Sequence, residues 1–265
     1  MNDSGKAAEY RLFLSDAHIS VLPGPCPRRD RLVSFLRSLS PGPKELFLLG
    51  DIFEFWYEYE TVLYASYFPL LHALATLRDQ GTRIHLITGN HDFWAGSQFQ
   101  SLLSAQVSYD TGEAAISGRR VFLCHGDGFA PEDKAYRAFR RTLRSRPFTW
   151  LMGRFPPGMV AKIADRLAKW TRNRSDRSDD KDRRALRSLA QKKIAEGYDV
   201  FLCAHLHSPE TAEIEAGGRK GLFLNVGDWW EHDSYVMERH GVFVLHEEGK
   251  DGKPWATTAD RSSAP

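Results

Sequence analysis

Short apolar runs alternate with helical spacers along most of this chain, and this alternation limits the possible folds more than any other feature. Seven runs of mostly apolar residues are bounded by Gly, Asp or Pro, and they predict buried strands at residues 12–14, 46–49, 84–87, 121–124, 200–203, 222–226 and 242–245. Residues 30–39 and 64–80 carry apolar side chains at intervals of three and four, which predicts crossover helices. Strands that alternate with helices predict an α/β architecture.

One stretch interrupts this alternation. Residues 133–193 contain no strand-like run but two aromatic-rich helical patterns and a polar link over 171–184, which predicts a helical insertion. We therefore expect a single domain over residues 1–247 that carries this insertion. Residues 248–265 are polar and rich in Gly, Ser and Pro, which predicts a loose C-terminal tail.

Charge is unevenly distributed along the chain. Between Arg137 and Arg187 there are 16 Lys and Arg residues against 5 Asp, a local net charge of +11, whereas the rest of the chain carries −9. A basic block on an acidic body favours a negatively charged partner. A solvated helical face is the other interpretation of the same pattern.

Cysteine content and hydropathy exclude several classes of protein. Three widely spaced cysteines exclude a disulfide framework and a CxxC zinc site, and they favour a reducing compartment. Cys124 and Cys203 lie within predicted strands, which favours core packing. The polar N-terminus does not resemble a signal peptide, and no run of about 18 apolar residues is present to span a membrane. We therefore expect a cytoplasmic location.

Residue types that bind metals follow five of the predicted strands. The motifs are Asp16-x-His18, Gly50-Asp51, Gly89-Asn90-His91-Asp92, His125-Gly126-Asp127 and His205-x-His207. Functional groups in open α/β sheets gather beyond the carboxyl ends of the strands, so these side chains are expected to converge. Residues two apart in an extended chain point to the same side, so one strand end can offer two ligands.

The number and type of these residues indicate two metal ions. A lone strand-end histidine is more often structural, but seven such residues in order favour a metal centre. Two Asp, one Asn and four His exceed one tetrahedral zinc site and suit two metals with a bridging carboxylate. Carboxylate, amide and imidazole ligands without thiolate favour Mn, Fe or Zn over Mg or Ca. The candidate ligands are Asp16, His18, Asp51, Asn90, His125, His205 and His207.

Together these five motifs resemble the signature of the calcineurin-like metallophosphoesterases, over about residues 10–245. The resemblance implies a four-layer α/β/β/α sandwich with a dinuclear metal centre. It implies that one metal is held by Asp16, His18, Asp51 and His207. It implies that the second metal is held by Asp51 as the bridge, Asn90, His125 and His205.

A narrower resemblance is to the UDP-2,3-diacylglucosamine diphosphatases. It is carried by the segments 50–56, 89–94, 125–127, 133–136 and 227–229 and by the basic insertion. The resemblance implies hydrolysis of UDP-2,3-diacylglucosamine to UMP and 2,3-diacylglucosamine 1-phosphate in lipid A synthesis, with the insertion as a lid over the acyl chains. The substrate-binding residues would be Asn90, His91, Asp133, Lys181 and His205.

Two of the motifs depart from the best-known members of this group. His91 stands where those proteins have Arg, and Leu206 and Ser208 replace Thr and Arg around the histidines of the last motif. The expected catalytic residues are Asp51, Asn90 and His91. His91, with Asp92 beside it, is expected to protonate or hydrogen-bond the leaving oxygen. The alternative is that His91 steadies the metal site.

The insertion carries a basic, amphipathic pattern. Apolar residues recur at helical spacing at Met159, Ile163, Leu167 and Trp170, while Lys162, Arg166 and Lys169 occupy another side. This pattern predicts contact with a membrane surface or with an acylated anionic substrate. Together with the resemblance to the UDP-2,3-diacylglucosamine diphosphatases, it implies a peripheral position on the cytoplasmic face of the inner membrane. The alternative is a helix that packs its apolar face on the body.

Other functions remain possible at this point. The chain could be a different phosphodiesterase, phosphomonoesterase or nuclease of the same superfamily, or a binding protein that has lost activity. No long basic stripe is present in the sequence, so nucleic acid is not an expected partner. Neither does the sequence suggest a protein partner.

Overall fold

The computed structural model describes residues 8–172 and 179–247. Within this part of the chain, eleven strands occur. They are β1 (Ala8–Leu14), β2 (Pro43–Leu48), β3 (Arg83–Thr88), β4 (Gln106–Tyr109), β5 (Thr111–Ile116), β6 (Arg119–Cys124), β7 (Val200–Cys203), β8 (Glu210–Ala216), β9 (Arg219–Asn225), β10 (Ser234–Arg239) and β11 (Val242–Glu247).

Seven α-helices occur in the same described residues. Three precede β4, namely α1 (Pro27–Ser38), α2 (Phe68–Asp79) and α3 (Ser97–Leu103). Four lie between β6 and β7, namely α4 (Lys134–Leu143), α5 (Arg146–Met152), α6 (Pro157–Arg172) and α7 (Asp179–Ala195). Proline stands in the first turn of α1, α2 and α5, where its missing N–H leaves no hydrogen bond unmade.

The strands form two mixed sheets. The first has the order β11-β10-β1-β2-β3-β4, and the second has the order β5-β6-β7-β9-β8. Each sheet contains a block of parallel strands. Strands β1, β2, β3 and β4 are parallel in the first sheet, and β6, β7 and β9 are parallel in the second. Antiparallel strands form both edges of the second sheet and one edge of the first.

The two sheets face each other across a shared apolar core. Phe13 of β1 stacks on Phe47 of β2 at 4.8 Å, and both belong to one buried cluster with Leu123 of β6 and Leu202 of β7. Helices α1, α2 and α3 bury their apolar side chains on the outer face of the first sheet. Helix α7 covers the outer face of the second. This is the predicted four-layer α/β/β/α arrangement, and the fold class is confirmed.

The parts of the fold that carry strong apolar patterns agree with the sequence predictions. All seven predicted strands are present, and α1 and α2 coincide with the two predicted crossover helices. Cys124 and Cys203 are buried in β6 and β7 with free thiols, as expected. Four strands had no counterpart among the predictions, namely β4, β5, β8 and β10.

The region between β6 and β7 corrects one expectation. The polar stretch 171–184 was expected to be a link, but α7 already begins at Asp179. The side chains of Leu167 and Trp170 and the predicted tail at 248–265 lie outside the described residues. Among the helices that the structure describes, none is both long and apolar enough to cross a membrane.

Candidate metal centre

The candidate ligands follow the carboxyl ends of the parallel strands, and most of them lie in loops with uncommon backbone dihedral angles. Five of them have left-handed backbone conformations, with φ between +43° and +71°. They are Asp16, His18, Asp51, His205 and His207. Residues other than glycine rarely adopt this conformation, and such positions cluster at functional sites. The loops therefore turn sharply as they leave the sheets.

Two glycines allow these loops to approach one another closely. Gly50 has a φ of +83°, and a Cβ there would lie 2.6 Å from the backbone nitrogen of Gly89 and 2.7 Å from Nδ1 of His125. A Cβ on Gly89 would lie only 2.2 Å from Oδ1 of Asp51. Any larger side chain would push the second, third and fourth motifs apart, because close packing leaves no room to relax.

The first group of candidate ligands joins the first and last motifs. Oδ1 of Asp16 lies 3.3 Å from Nε2 of His207 and 3.7 Å from Nε2 of His18. The two histidine Nε2 atoms are 3.4 Å apart. One ligand atom from each of the three residues lies within 4.8 Å of the others, which is close enough to share a metal ion.

A second group surrounds Asp51. Nδ1 of His125 donates a hydrogen bond to the carbonyl of Leu49 at 2.8 Å, so Nε2 is the ring nitrogen that faces the rest of the cluster. That Nε2 lies 3.4 Å from Oδ2 of Asp51 and 3.2 Å from Oδ1 of Asn90. Oδ2 of Asp51 is also 3.8 Å from Nε2 of His18. Asp51 therefore lies between the two groups, as a bridging ligand would.

The electrostatics of the cluster favour a bound cation. Burial raises the pKa of Asp16 and of Asp51, but nearby histidines outweigh this effect and leave both pKa values well below the usual range. Burial lowers the pKa of His207, but Asp16 and Asp228 outweigh it and raise that pKa to about 9. The pKa of buried His125 is also raised, mainly by Asp51 and Asp16. The carboxylates therefore stay ionised and attract positive charge.

The donor set fits divalent metal ions. Asp16 is fully buried, and in the described part of the chain no hydrogen bond of good geometry reaches its Oδ1, although His18 and His207 lie near it. A buried carboxylate oxygen in that position is costly unless a cation compensates it. Carboxylate and imidazole ligands together suit Mn, Fe or Zn.

His91 lies beside this cluster, but its partner is not the expected one. Asp92 was expected alongside the imidazole; instead its carboxylate accepts hydrogen bonds from the backbone nitrogens of Gly89 and Ile52, at 2.8 and 3.0 Å. Nδ1 of His91 faces Glu54, 3.0 Å from its carbonyl oxygen and 3.4 Å from Oε1. Burial and neighbouring Asp51 raise the pKa of Asp92 to about 6.

The remaining predicted site residues lie at the edge of the cluster. His205 packs edge-on against His125 with ring centroids 5.1 Å apart, but it belongs to neither group, and its Nε2 lies 3.5 Å from Oδ2 of Asp182. Lys181 and Asp133 form an ion pair with each other at 2.5 Å. The structure thus brings together most of the predicted ligands but turns the His205 ring toward α7.

Three acidic residues at this site were not among the predicted site residues. Oδ1 of Asp228 accepts three backbone N–H groups from the turn after β9, and Oδ2 lies 3.5 Å from Nδ1 of His207. Glu54 contacts His91 and lies 3.9 Å from Nδ1 of His18. Asp182 comes from α7. Asp228 follows a strand end like the other motifs, and Glu54 is a lone charge in an apolar run, so both had a usable signal.

Helix α6 does not bury the apolar stripe read from the sequence. Met159 and Ile163 are 41% and 48% exposed, whereas Val160 and Ala161 form the buried side of the helix. Trp150 on α5 is 61% exposed and Phe155 is 39% exposed. The alternative in which this stripe simply packs on the body is therefore wrong for Met159 and Ile163.

A cluster of buried and half-buried Asp, Asn and His side chains at the strand ends of an α/β/β/α sandwich is the arrangement of a metal-dependent hydrolase. The chain belongs to the calcineurin-like phosphoesterase family, whose model matches residues 11–209. This assignment confirms the predicted family and the prediction that the chain is a hydrolase.

Curated relatives resemble the chain over nearly its whole length. A UDP-2,3-diacylglucosamine hydrolase of Stenotrophomonas maltophilia (strain K279a) is 29% identical over 242 residues, which cover 88% of this chain and 96% of the relative. Proteins of the same name from Vibrio parahaemolyticus and Aeromonas hydrophila are 26% and 28% identical, over 88% and 89% of this chain. The alignments cover 96% and 97% of those two relatives.

Proposed function

We propose that this chain hydrolyses the pyrophosphate bond of UDP-2,3-diacylglucosamine and releases UMP and 2,3-diacylglucosamine 1-phosphate. The observation that carries the proposal is the buried cluster around Asp51, which supplies ligands for metal-dependent phosphoester hydrolysis. The choice of substrate is supported by the similarity to hydrolases of that name over most of the chain. Another phosphodiesterase or phosphomonoesterase activity of the same superfamily is the alternative.

The proposed cofactors are two divalent metal ions, Mn in preference to Fe or Zn. One would be held by Asp16, His18, Asp51 and His207, and the other by Asp51, Asn90, His125 and His205. When bound, two such ions supply a hydroxide nucleophile near neutral pH and neutralise charge on the phosphoryl oxygens.

The chain's own residues orient the substrate beside these ligands. The amide of Asn90 is expected to position a phosphoryl oxygen. Because Nδ1 of His91 donates to the carbonyl of Glu54, its Nε2 is the nitrogen left to hydrogen-bond the leaving oxygen. Asp133 and Lys181 are proposed to contact the substrate from the two ends of the insertion.

The insertion at about residues 133–193 is proposed to act as a lid over the acyl chains of the substrate. Its exposed apolar side chains include Trp150, Phe155 and Ile163, and they lie in the most basic part of the sequence. A surface of this kind suits a molecule that is acylated at one end and anionic at the other. The same surface would hold the enzyme at the cytoplasmic face of the inner membrane. The insertion and the sandwich together are proposed to form a single domain over residues 1–247.

Product analysis tests this proposal directly. Metal-loaded protein should release UMP from UDP-2,3-diacylglucosamine faster than it cleaves a generic phosphodiester or single-stranded nucleic acid. A preference for the generic diester, or a nucleoside product other than UMP, would favour the alternative phosphoesterase activity. Metal analysis of the purified protein should accompany the assay and give two ions for each chain.

Replacing Trp150, Phe155 and Ile163 together with polar residues should raise KM for the diacylated substrate. Burying one methylene contributes about 0.8 kcal/mol, so losing contact with two corresponds to roughly a tenfold rise in KM. Hydrolysis of a small soluble phosphodiester should be unchanged. Phe68→Gln is a matched control, because Phe68 is as exposed as Trp150 but lies on α2. An equal loss with both substrates would mean that the three side chains only stabilise the insertion.

A further inference from the structure

Helix α7 places an acidic residue next to His205, a candidate ligand at the edge of the cluster, and packing fixes the helix where this residue lies. Leu186, Ala190 and Ile194 are buried against the second sheet. Arg183 forms an ion pair with Glu210 of β8 at 2.6 Å, and Arg187 pairs with the other oxygen of the same carboxylate. The first turn of α7 therefore has a fixed position relative to the last metal-binding motif.

Asp182 lies in this first turn and faces His205. Its residue surface is only 7% exposed, and its Oδ2 lies 3.5 Å from Nε2 of His205. The backbone nitrogen of His205 donates to Oδ2 of Asp16 at 3.1 Å, so carboxylates lie next to both the backbone and the ring of His205. With Nε2 directed at Asp182, Nδ1 is the ring nitrogen left for a metal ion.

We propose that Asp182 is a positioning residue that sets the tautomer and orientation of His205 for metal binding. The inference rests on the proposed function, in which His205 is a ligand of the second metal. Histidine ligands in metal sites usually donate their other ring N–H to a carboxylate or carbonyl, which fixes the ring and makes it a better ligand. His125 already shows this arrangement through Leu49, and His207 faces Asp228 in the same way.

Asp182 differs from these two partners because it belongs to the segment between β6 and β7 rather than to a strand end. Its neighbour Lys181 pairs with Asp133 at 2.5 Å and lies 3.8 Å from Oδ1 of Asp182. Asp133 precedes α4 and Lys181 lies in α7, so this ion pair joins the two ends of the insertion. The contacts thus connect the base of the insertion to a metal ligand through Lys181, Asp182 and His205.

The test compares metal affinity of the wild type with that of Asp182→Asn, using Mn²⁺ titration of the metal-free protein by calorimetry. Loss of the carboxylate should weaken binding of one of the two ions by about 10- to 100-fold, and Asp182→Glu should recover part of it. Asp180→Asn is the matched control, since Asp180 is an exposed acid in the same turn. If the wild type and Asp182→Asn both bind two Mn²⁺ ions with equal affinity, the role of Asp182 is overturned but the two-metal function is not. A wild type that binds one ion would overturn the two-metal function as well.

A measurement on the wild type decides the question even if Asp182→Asn fails to fold. In cadmium-loaded protein with isotope-labelled histidine, NMR coupling should join the metal to Nδ1 of His205, while its Nε2 remains protonated. The His205 signals can be assigned from their absence in His205→Gln. Coupling of the metal to Nε2, or an unprotonated Nε2, would overturn the proposal.

Discussion

Asp51→Ala should abolish hydrolysis and reduce the amount of bound metal. Asp51 is 1% exposed, and its Oδ2 lies within 3.9 Å of ring nitrogens from His18, His91 and His125. Removal of the carboxylate takes away the group that would bridge the two cations and leaves neutral or positively charged imidazoles around that position. We expect activity to fall by more than the roughly 10- to 100-fold that is typical when a hydrogen-bonding partner of a metal ligand is mutated.

A second substitution separates charge from packing at the same position. Oδ1 of Asp51 accepts the backbone N–H of His91 at 2.8 Å, and Asn can retain this hydrogen bond while removing the charge. Asp51→Asn should therefore unfold at a temperature close to that of the wild type, yet bind less metal and lose turnover. Activity, metal content and thermal unfolding of the two variants are the measurements. Full activity in either variant, or in chelator-treated wild type, would contradict the proposed two-metal mechanism.

The predictable part of this protein is the part in which the sequence signal is local. A buried parallel strand appears as a continuous apolar run, and its carboxyl end marks where functional side chains lie. This rule located Asp16, Asp51, Asn90 and His125 at one edge of the structure before any geometry was known. The rule applies equally to Asp228 after β9, which lies in the segment 227–229 but was not among the predicted ligands.

The missed elements have weak or non-local signals. Strand β8 is a charged, largely half-exposed edge strand, so it shows no apolar run although it pairs with β9 over its whole length. The contact between Asp182 and His205 joins residues far apart in sequence, and only the packing of α7 on the second sheet brings them together. Helical spacing in α6 revealed an apolar stripe, but spacing alone cannot tell whether Met159 and Ile163 face the body or solvent.

His91 occupies a position from which two different roles are possible. Its Nε2 lies 3.9 Å from Oδ2 of Asp51, and with His18 and Asp51 it forms a third group whose ligand atoms are close enough to share a metal ion. Its ring is also less buried than those of His18 and His125, which makes it accessible to a substrate. The two roles can be told apart by substitution of His91. If His91 is a proton donor, the fall in kcat depends on the leaving group, whereas if it supports the metal centre, the fall is the same for all leaving groups.

His91→Ala should lower kcat by about 10²- to 10⁴-fold for substrates with alkoxide leaving groups, the usual contribution of general acid catalysis. The loss should be much smaller for nitrophenolate or phosphate leaving groups, because an acidic leaving group departs without a proton. Metal content should equal that of the wild type, and His72→Ala, which removes an exposed imidazole on α2, should leave every rate unchanged. An equal loss for all leaving groups, together with weaker metal binding, would show that His91 supports the metal centre and does not protonate the leaving oxygen.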